Sequence, residues 1–436
     1  MKTVRYEISR DVPLLHEADV IVLGGGPGGL GAAVMSARCG ARTLLIEQYG
    51  FLGGMATAGE IHPFMGNHAH GVCLDKPVYV EWIRRMQPYL GPKAVTDDGK
   101  LAEAGFPAVM ISKDAAMLAA EDLCLEAGVQ LLYHHQLADA LMAGDRIDAL
   151  ILLSKSGFTA AKAQSYVDCT GDADLVARSG CRFEQGGPSG QCQPMTLCFK
   201  LCGVDKTRSP GGKEINRLFD EAKARGEIRT PREDVLMFDW IDDDVIHFNT
   251  TRVTHRSGTS GADLSEAEIE GRRQLRQFLV FFRKYIPGYE NARIYSIAHQ
   301  IGVRETRRVK GLATVTRDDF RRAAKFPDGI ARVHYPIDIH NPLGSGTEHE
   351  NLPPGEFYEI PYGCLVPADV KNLLVGGRPI SGDHATHSSF RVMPPACSIG
   401  QAAGLAAATA AARGCSPHDL SGVEVRRLLA QRGAYL

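Results

Sequence analysis

Three groupings of side chains in this sequence have the types and spacing to do chemistry. The first is a glycine run, Gly24-Gly25-Gly26-Pro27-Gly28-Gly29, with Glu47 about twenty residues on. Gly24, Gly26 and Gly29 have G-x-G-x-x-G spacing. The first glycine makes a tight turn, the second lets a pyrophosphate approach the backbone, and the third lets a helix pack on a strand. The helix start that follows offers free N–H groups and a positive dipole end to phosphate, and a carboxylate at Glu47 suits a ribose diol. The second grouping is histidine: His62, His68 and His70 in one loop, and His384 and His387 near the other end of the chain. Histidine titrates near neutral pH and can accept a proton from a substrate. The third is Arg304, Arg307 and Arg308, a basic cluster able to hold a carboxylate bidentately. A solvated or ion-paired strand is the better account of two of these three. Tyr362 is a further pocket candidate that could also be an ordinary buried tyrosine.

These groups act only if the chain positions them. Residues 19–23, a short apolar run closed by glycines, predict a buried parallel strand. A helix is expected over 27–38, stopping at Gly40, and a second strand over 42–47, which makes a βαβ opening. Residues 114–126 have helical spacing and 129–133 follow as a strand. Over 136–167 the pattern becomes short β segments with turn signals at Ala143-Gly144-Asp145 and Lys155-Ser156-Gly157, an antiparallel meander laid on the parallel sheet. From 186 to 362 charge, aromatics and irregular stretches increase. There Ser265 and Glu268 form a capping box, opening a helix with Leu275, Phe278, Leu279, Phe282 and Ile286 on one face, stopped by Pro287-Gly288. A strand over 372–375 and an Ala/Gly-rich helix over 395–413 complete the pattern. The expected fold class is α/β: a Rossmann-like nucleotide-binding domain from residues 1–185 and 363–436, with an α+β substrate or cap domain, 186–362, inserted between them.

A chain of 436 residues with 44% hydrophobic and 23% charged residues is an ordinary globular protein. Lys+Arg 49 against Asp+Glu 51 gives a formal charge of -2, which offers nothing to nucleic acid or an anionic membrane. Residues 1–16 carry Arg5, Glu7, Arg10 and Asp11 without an apolar stretch, so no secretory signal is expected. The uncharged stretches 20–37 and 392–412 hold too much Gly, Ala and Pro for membrane insertion. The 11 cysteines are odd in number and scattered, which suggests reduced thiols and a cytoplasmic protein.

Several segments in fixed order carry a family resemblance. They are Val20-Ile-Val-Leu-Gly-Gly-Gly-Pro-Gly-Gly29, Leu52-Gly-Gly-Met-Ala-Thr-Ala-Gly59, Val167-Asp-Cys-Thr-Gly-Asp-Ala-Asp174, Gly302-Val-Arg-Glu-Thr-Arg-Arg308, and Asn372-Leu-Leu-Val-Gly-Gly-Arg-Pro-Ile-Ser381 with Arg391 and Gly400-Gln-Ala-Ala-Gly404. Together the sequence resembles the FAD-dependent oxidoreductases of the glutathione-reductase fold, a group that includes fumarate-reductase-like flavoproteins. The resemblance implies FAD, bound along Gly24, Gly26, Pro27, Gly28, Gly29, Glu47 and Gln48. It implies further contacts at Gly53, Gly54, Met55 and Thr57 beside the ring system, and at Thr170, Gly171 and Asp172 by the adenosine. It places Gly377, Arg378, Arg391, Gly400, Gln401 and Ala402 at the flavin end. Many relatives have Gly-Asp where this chain has Gly377-Arg378, a departure at the ribityl contact.

The resemblance also frames the chemistry. A flavin takes hydride but not the proton, so hydride transfer from a small polar substrate to N5 needs a base. His62, His384 and His387 are the candidates, with Arg304 or Arg391 orienting the substrate between the two domains and Tyr362 in reserve. No second G-x-G-x-x-G, no Cys-x4-Cys pair and no iron–sulfur motif occurs, which argues against disulfide reduction. The electron acceptor stays open among dioxygen, a quinone, another protein or a bound molecule, and a homo-oligomer stays open too. With flavin accounting for the histidine loop, no metal is expected. Gly382-Asp383-His384-Ala385-Thr386-His387 echoes the Gly-Asp-Ala-Ala-His of flavin-dependent aromatic hydroxylases, the alternative activity. A non-catalytic flavin-binding protein is the other alternative.

Overall fold

The computed structural model describes residues 11–90 and 111–436; the absence of a signal in residues 1–10 lies outside them. The first sheet begins with β1 (Leu14–Leu23), crosses through α1 (Pro27–Arg38) and returns parallel as β2 (Thr43–Ile46). Val20, Ile21, Val22, Leu45 and Ile46 are buried, as a parallel strand covered on both faces requires. Helix α2 (Lys113–Glu126), capped by Ser112 accepting from the Ala115 amide, leads to β3 (Gln130–Leu132) on the far side of β2. The meander follows as β4 (Gln136–Ala143), β5 (Arg146–Ser154) and β6 (Gly157–Asp168). Strand β6 has two roles. Its first residues pair antiparallel with β5, while its later ones lie parallel to β1.

A second apolar core is drawn from residues 199–292. It is built from β7 (Phe199–Cys202), α3 (Gly212–Ala224), β8 (Met237–Asp239), β9 (Ile246–Phe248), α4 (Gly261–Tyr285) and β10 (Arg293–Ile297). The four strands form an antiparallel sheet in the order β8-β9-β7-β10. Phe199, Phe219, Phe248, Phe278 and Phe282 fill the space between sheet and helices in direct ring contact. Helix α4 starts four residues before the predicted capping box. Ser260 is the cap, accepting from the Asp263 amide at 3.2 Å, and Ser265 instead donates to the Gly261 carbonyl inside the helix. Glu268, freed of a capping role, accepts from the Ile301 amide at 2.6 Å.

After this core the chain returns to the first one, where Val309, Phe320, Val333, Tyr358 and Val366 are buried. Within this return runs a hairpin, β11 (Ile337–His340) and β12 (Thr347–Glu350). Strand alternation buries Ile337 and Ile339 in the core and sets Asp338 and His340 on the opposite face, paired across the ladder with His349 and Thr347.

The last strand, β13 (Leu373–Val375), adds parallel to β6, so the first sheet takes strands from both ends of the chain. Helices α5 (His384–Phe390) and α6 (Met393–Arg413) follow. Helices α1 and α6 cross in backbone contact. A Cβ at Gly400 would stand 1.8 Å from the Gly28 carbonyl oxygen, and one at Gly404 would stand 2.0 Å from that of Ala32. No side chain is tolerated there, and the crossing brings the starts of both helices side by side. Among the described residues no helix is long and apolar enough to cross a membrane.

Candidate active site

One cavity of about 1130 Å³ opens where these helix starts face the second core and the β11–β12 hairpin. It exceeds the roughly 300–1,000 Å³ of a pocket for one small molecule. Its two ends differ in chemistry.

At one end the lining is largely backbone. Gly24, Gly26, Pro27 and Gly28 come from the β1–α1 turn, Glu47 and Gln48 from the end of β2, Gly54 and Met55 from the next loop, and Gly377 follows β13. Gly24 has φ +94°, which a side chain at this turn would not adopt readily. The α1 N-cap is Gly26 with no side-chain cap and no acidic residue in the first turn, so its first amides are open to an anion. A Cβ added at Gly26 would meet no protein atom nearer than Gly54 Cα at 3.8 Å. That space is left by the protein for something else. Helix α6 is likewise uncapped at Val392, and Val392, Met393 and Ala396 line the same cavity. Phosphates at one helix start and a ring carrying negative charge at the other would suit this arrangement.

Glu47 lines the cavity with both carboxylate oxygens engaged, one accepting from Gly25 N at 2.6 Å and the other from Tyr49 N at 3.0 Å. Burial raises its pKa against those donors. Thr170, Gly171 and Asp172 also line the cavity. The Thr170 hydroxyl donates to Asp168 at 2.7 Å, and Asp172 accepts from Thr306 at 2.8 Å and is ion-paired with Arg378. Arg378 thus folds back across the strand ends, its other nitrogen donating to the Val303 carbonyl at 2.9 Å.

At the other end the lining is charged. Arg304 donates to the Pro194 carbonyl at 2.7 Å and to Thr196 at 2.5 Å, and among the described residues no carboxylate lies within ion-pairing distance of it. Burial, with Arg391 and Arg232 close by, lowers its pKa to about 9. Arg391 donates to the Asp338 backbone carbonyl at 3.4 Å and reaches its carboxylate only at 3.7 Å, and its Nε is buried without a partner among the described residues. Arg232 is paired with Asp234 at 2.7 Å and Arg252 with Glu233 at 2.9 Å. Of these four guanidiniums, three have a carboxylate within 4 Å, and among the described residues Arg304 has none. Burial alone would raise the Asp338 carboxyl, but His340, Arg391 and His349 together hold it well below the usual carboxylate range.

The histidine and tyrosine candidates separate. The His62 ring lines the cavity; its Nε2 meets the Ala56 carbonyl at 2.9 Å and must donate, leaving Nδ1 as a covered lone pair without a partner. Burial first, then Lys200 and His247, keeps this ring neutral. His384 and His387 do not line the cavity. His384 meets Glu305 at 2.8 Å, and His387 is buried against Phe390. Tyr362 lies elsewhere, its hydroxyl donating to the Pro417 carbonyl at 2.9 Å. Arg307 pairs with Asp174, and Arg308 with Glu305.

Some expected cofactor contacts are also occupied within the protein. Gly29 packs on the Gly24 carbonyl, Gly53 on Thr57, and Gly400 on Gly28. The Thr57 hydroxyl donates to the Leu52 carbonyl at 2.8 Å. Gln401 ties the Lys76 carbonyl and the Val78 amide, and Ala402 is core. Asp383 caps α5, accepting from Thr386 N at 2.8 Å. Asn249, Tyr335, Asp338 and His340 line the cavity without having been singled out in the sequence. The alternation Ile337-Asp338-Ile339-His340 was the available signal.

Comparisons with known proteins bear on this site. No curated protein matches the chain. Among solved structures it is similar to a geranylgeranyl bacteriochlorophyll reductase-like protein from Thermoplasma acidophilum, at 12% identity over 96% of this chain and 84% of that one, TM-score 0.48. It is similar to p-nitrophenol 4-monooxygenase from Pseudomonas putida, at 12% identity over 69% and 70%, TM-score 0.42. A flavin-dependent brominase is similar at 12% identity over 94% and 83%, TM-score 0.46. Likeness at that level says nothing about substrate. The decisive match is to the family described as FAD dependent oxidoreductase, over residues 19–429. The chain therefore belongs to the FAD-dependent oxidoreductases: it is an enzyme, and its cofactor is FAD.

Proposed function

We propose that this enzyme transfers hydride between a small carboxylate-bearing substrate and FAD. The observation that carries the reading is a single cavity joining the glycine-lined helix starts to Arg304, a guanidinium facing the cavity without a carboxylate partner. FAD, bound at the glycine-lined end, supplies a two-electron acceptor or donor of hydride. Arg304 and Arg391 hold the substrate carboxylate, since a partly desolvated guanidinium gains most from an anion that fills its free donors. Oxidation takes a hydride from a substrate carbon and a proton from the hydroxyl or carbon beside it. Of the three candidate histidines only His62 lines the cavity, but its Nδ1 is covered and burial holds the ring neutral, so the proton leaves to solvent water entering the open cavity rather than to this ring. Met55, Ile61 and Phe238 add apolar surface to the lining.

The test is anaerobic bleaching of the flavin by a panel of small hydroxy, amino and saturated carboxylates, each beside its neutral amide. Bleaching confined to carboxylates, and lost in Arg304→Met with FAD content unchanged, is the expected result. Equal bleaching by the amides would refute the reading.

A further inference from the structure

His340 was not a sequence candidate, and its surroundings fix its chemistry. The ring lines the cavity. Its Nδ1 lies 3.0 Å from Nη2 of Arg252. A guanidinium has only donors and does not lose its proton in proteins, so Nδ1 must be the lone pair and Nε2 must carry the hydrogen. Arg252 is itself immobile. It is buried, ion-paired with Glu233 at 2.9 Å, and donates to the carbonyls of Gly344 at 3.1 Å and Gly346 at 3.2 Å. Thr347, across the hairpin, also lies 3.3 Å from Nδ1, and the Gln193 side chain accepts from the His340 backbone amide. The nearest carboxylate to Nε2 is Asp338 at 3.6 Å, beyond hydrogen-bond length. Asp338 engages this donor only at long range, so it is open to a better-placed acceptor that enters the cavity.

We infer that His340 is a substrate-binding hydrogen-bond donor, held as the neutral Nε2–H tautomer by Arg252, and that it selects carboxylates carrying a hydroxyl or carbonyl oxygen beside the carboxylate. The inference rests on the carboxylate reading above and narrows it. Arg304 and Arg391, the charged neighbours of His340 in the same cavity, take the carboxylate; His340 takes the adjacent oxygen. Burial, together with Arg304, lowers the His340 pKa to about 3 against the opposing pull of Asp338. His340 is therefore no general base near neutral pH. Arg252 is not among the residues lining this cavity and acts through His340 as a positioning residue.

The experiment measures binding to the oxidised, FAD-loaded protein, so that turnover is not needed. 2-Oxobutyrate and butyrate are titrated, and perturbation of the visible flavin spectrum is followed, with calorimetry alongside. In the parent protein 2-oxobutyrate is expected to bind roughly ten- to a hundredfold more tightly, because butyrate leaves the Nε2–H donor unpaired. In His340→Leu the two acids should bind alike. Side-chain ¹⁵N resonances should show one Nε2–H tautomer for His340 in the parent and a mixture in Arg252→Met, which a merely structural arginine would not produce. Equal binding of the two acids by the parent, or an Nδ1–H tautomer, overturns the inference and leaves the carboxylate reading standing. Binding of neither acid overturns both.

Discussion

At one end of the cavity the protein offers backbone; at the other it offers side chains. Gly24, Gly26 and Gly28 present amides and empty space within five consecutive residues of a tight turn. Arg232, Arg304, Asp338, His340 and Arg391 come from the second core, the segment that follows it, the hairpin and the approach to α6. Buried carboxylates show the same contrast. Asp75, beneath α6, accepts from Ser398 at 2.7 Å and Asn67 at 2.9 Å without a cation, and burial pushes it up to about 7. Asp338, among arginine and histidine side chains, is held low. A backbone site serves a cofactor common to a whole family, whereas a side-chain site can be rewritten residue by residue for one substrate.

The largest effect should come from Gly26→Leu. Its φ of −70° suits any residue and an added Cβ meets no close protein atom, so the fold should survive. The side chain would occupy the phosphate position, and FAD affinity should fall more than roughly 100-fold with unchanged circular dichroism. Retained FAD would show that this end is not built from backbone alone. Arg304→Met comes next, with a loss of about 2–5 kcal/mol in carboxylate binding, roughly 30- to 4000-fold, and full FAD content. If FAD were lost as well, the two ends would not be separable.

Asp75 sharpens the electrostatic side of the contrast. Burial lifts its folded pKa above the ordinary carboxylate value, so the folded state holds the proton more tightly. Stability from this group is complete below about pH 4 and declines as pH rises toward 7, by roughly 2–4 kcal/mol. Denaturant titrations of Asp75→Asn should lack that decline. A parallel fall in parent and variant would assign it to another group. Asp338 has the opposite sign, its contribution being present above the usual carboxylate range and lost only in strong acid. The smallest effect is expected for Thr57→Val, about 1 kcal/mol of stability from the lost bond to Leu52 and no change in FAD affinity. A drop in FAD affinity would show that the hydroxyl also serves the cofactor.

The same contrast explains what was legible in the sequence. The β1–α1–β2 opening, the meander and the glycines were readable because local spacing determines them: period, turn residues and a motif whose members are neighbours. Helix α4 was found but begun late, since Ser265 and Glu268 mimic a cap from inside the helix while Ser260 performs it. The second core is narrower than the stretch 186–362, because residues after Val309 pack back into the first core. Composition does not distinguish a return to an old core from a new one. His340 was missed for a related reason. Its role is set by Arg252, far away in sequence, and only the fold makes them neighbours. His384, by contrast, lay near the right motif, yet its side chain turns to Glu305.

The close crossing of α1 and α6 has a consequence for timing. The first half of the cofactor cradle leaves the ribosome well before its other half, with Gly377, Gly400 and Gly404, has been made. Until those glycines arrive, α1 has an uncovered face and β6 lacks its neighbour β13. A nascent chain can collapse its second core on the way, but it cannot close the cradle. Cofactor loading is thereby confined to chains that have been made past Gly404, and retained flavin marks a molecule in which the two halves of the cradle have met.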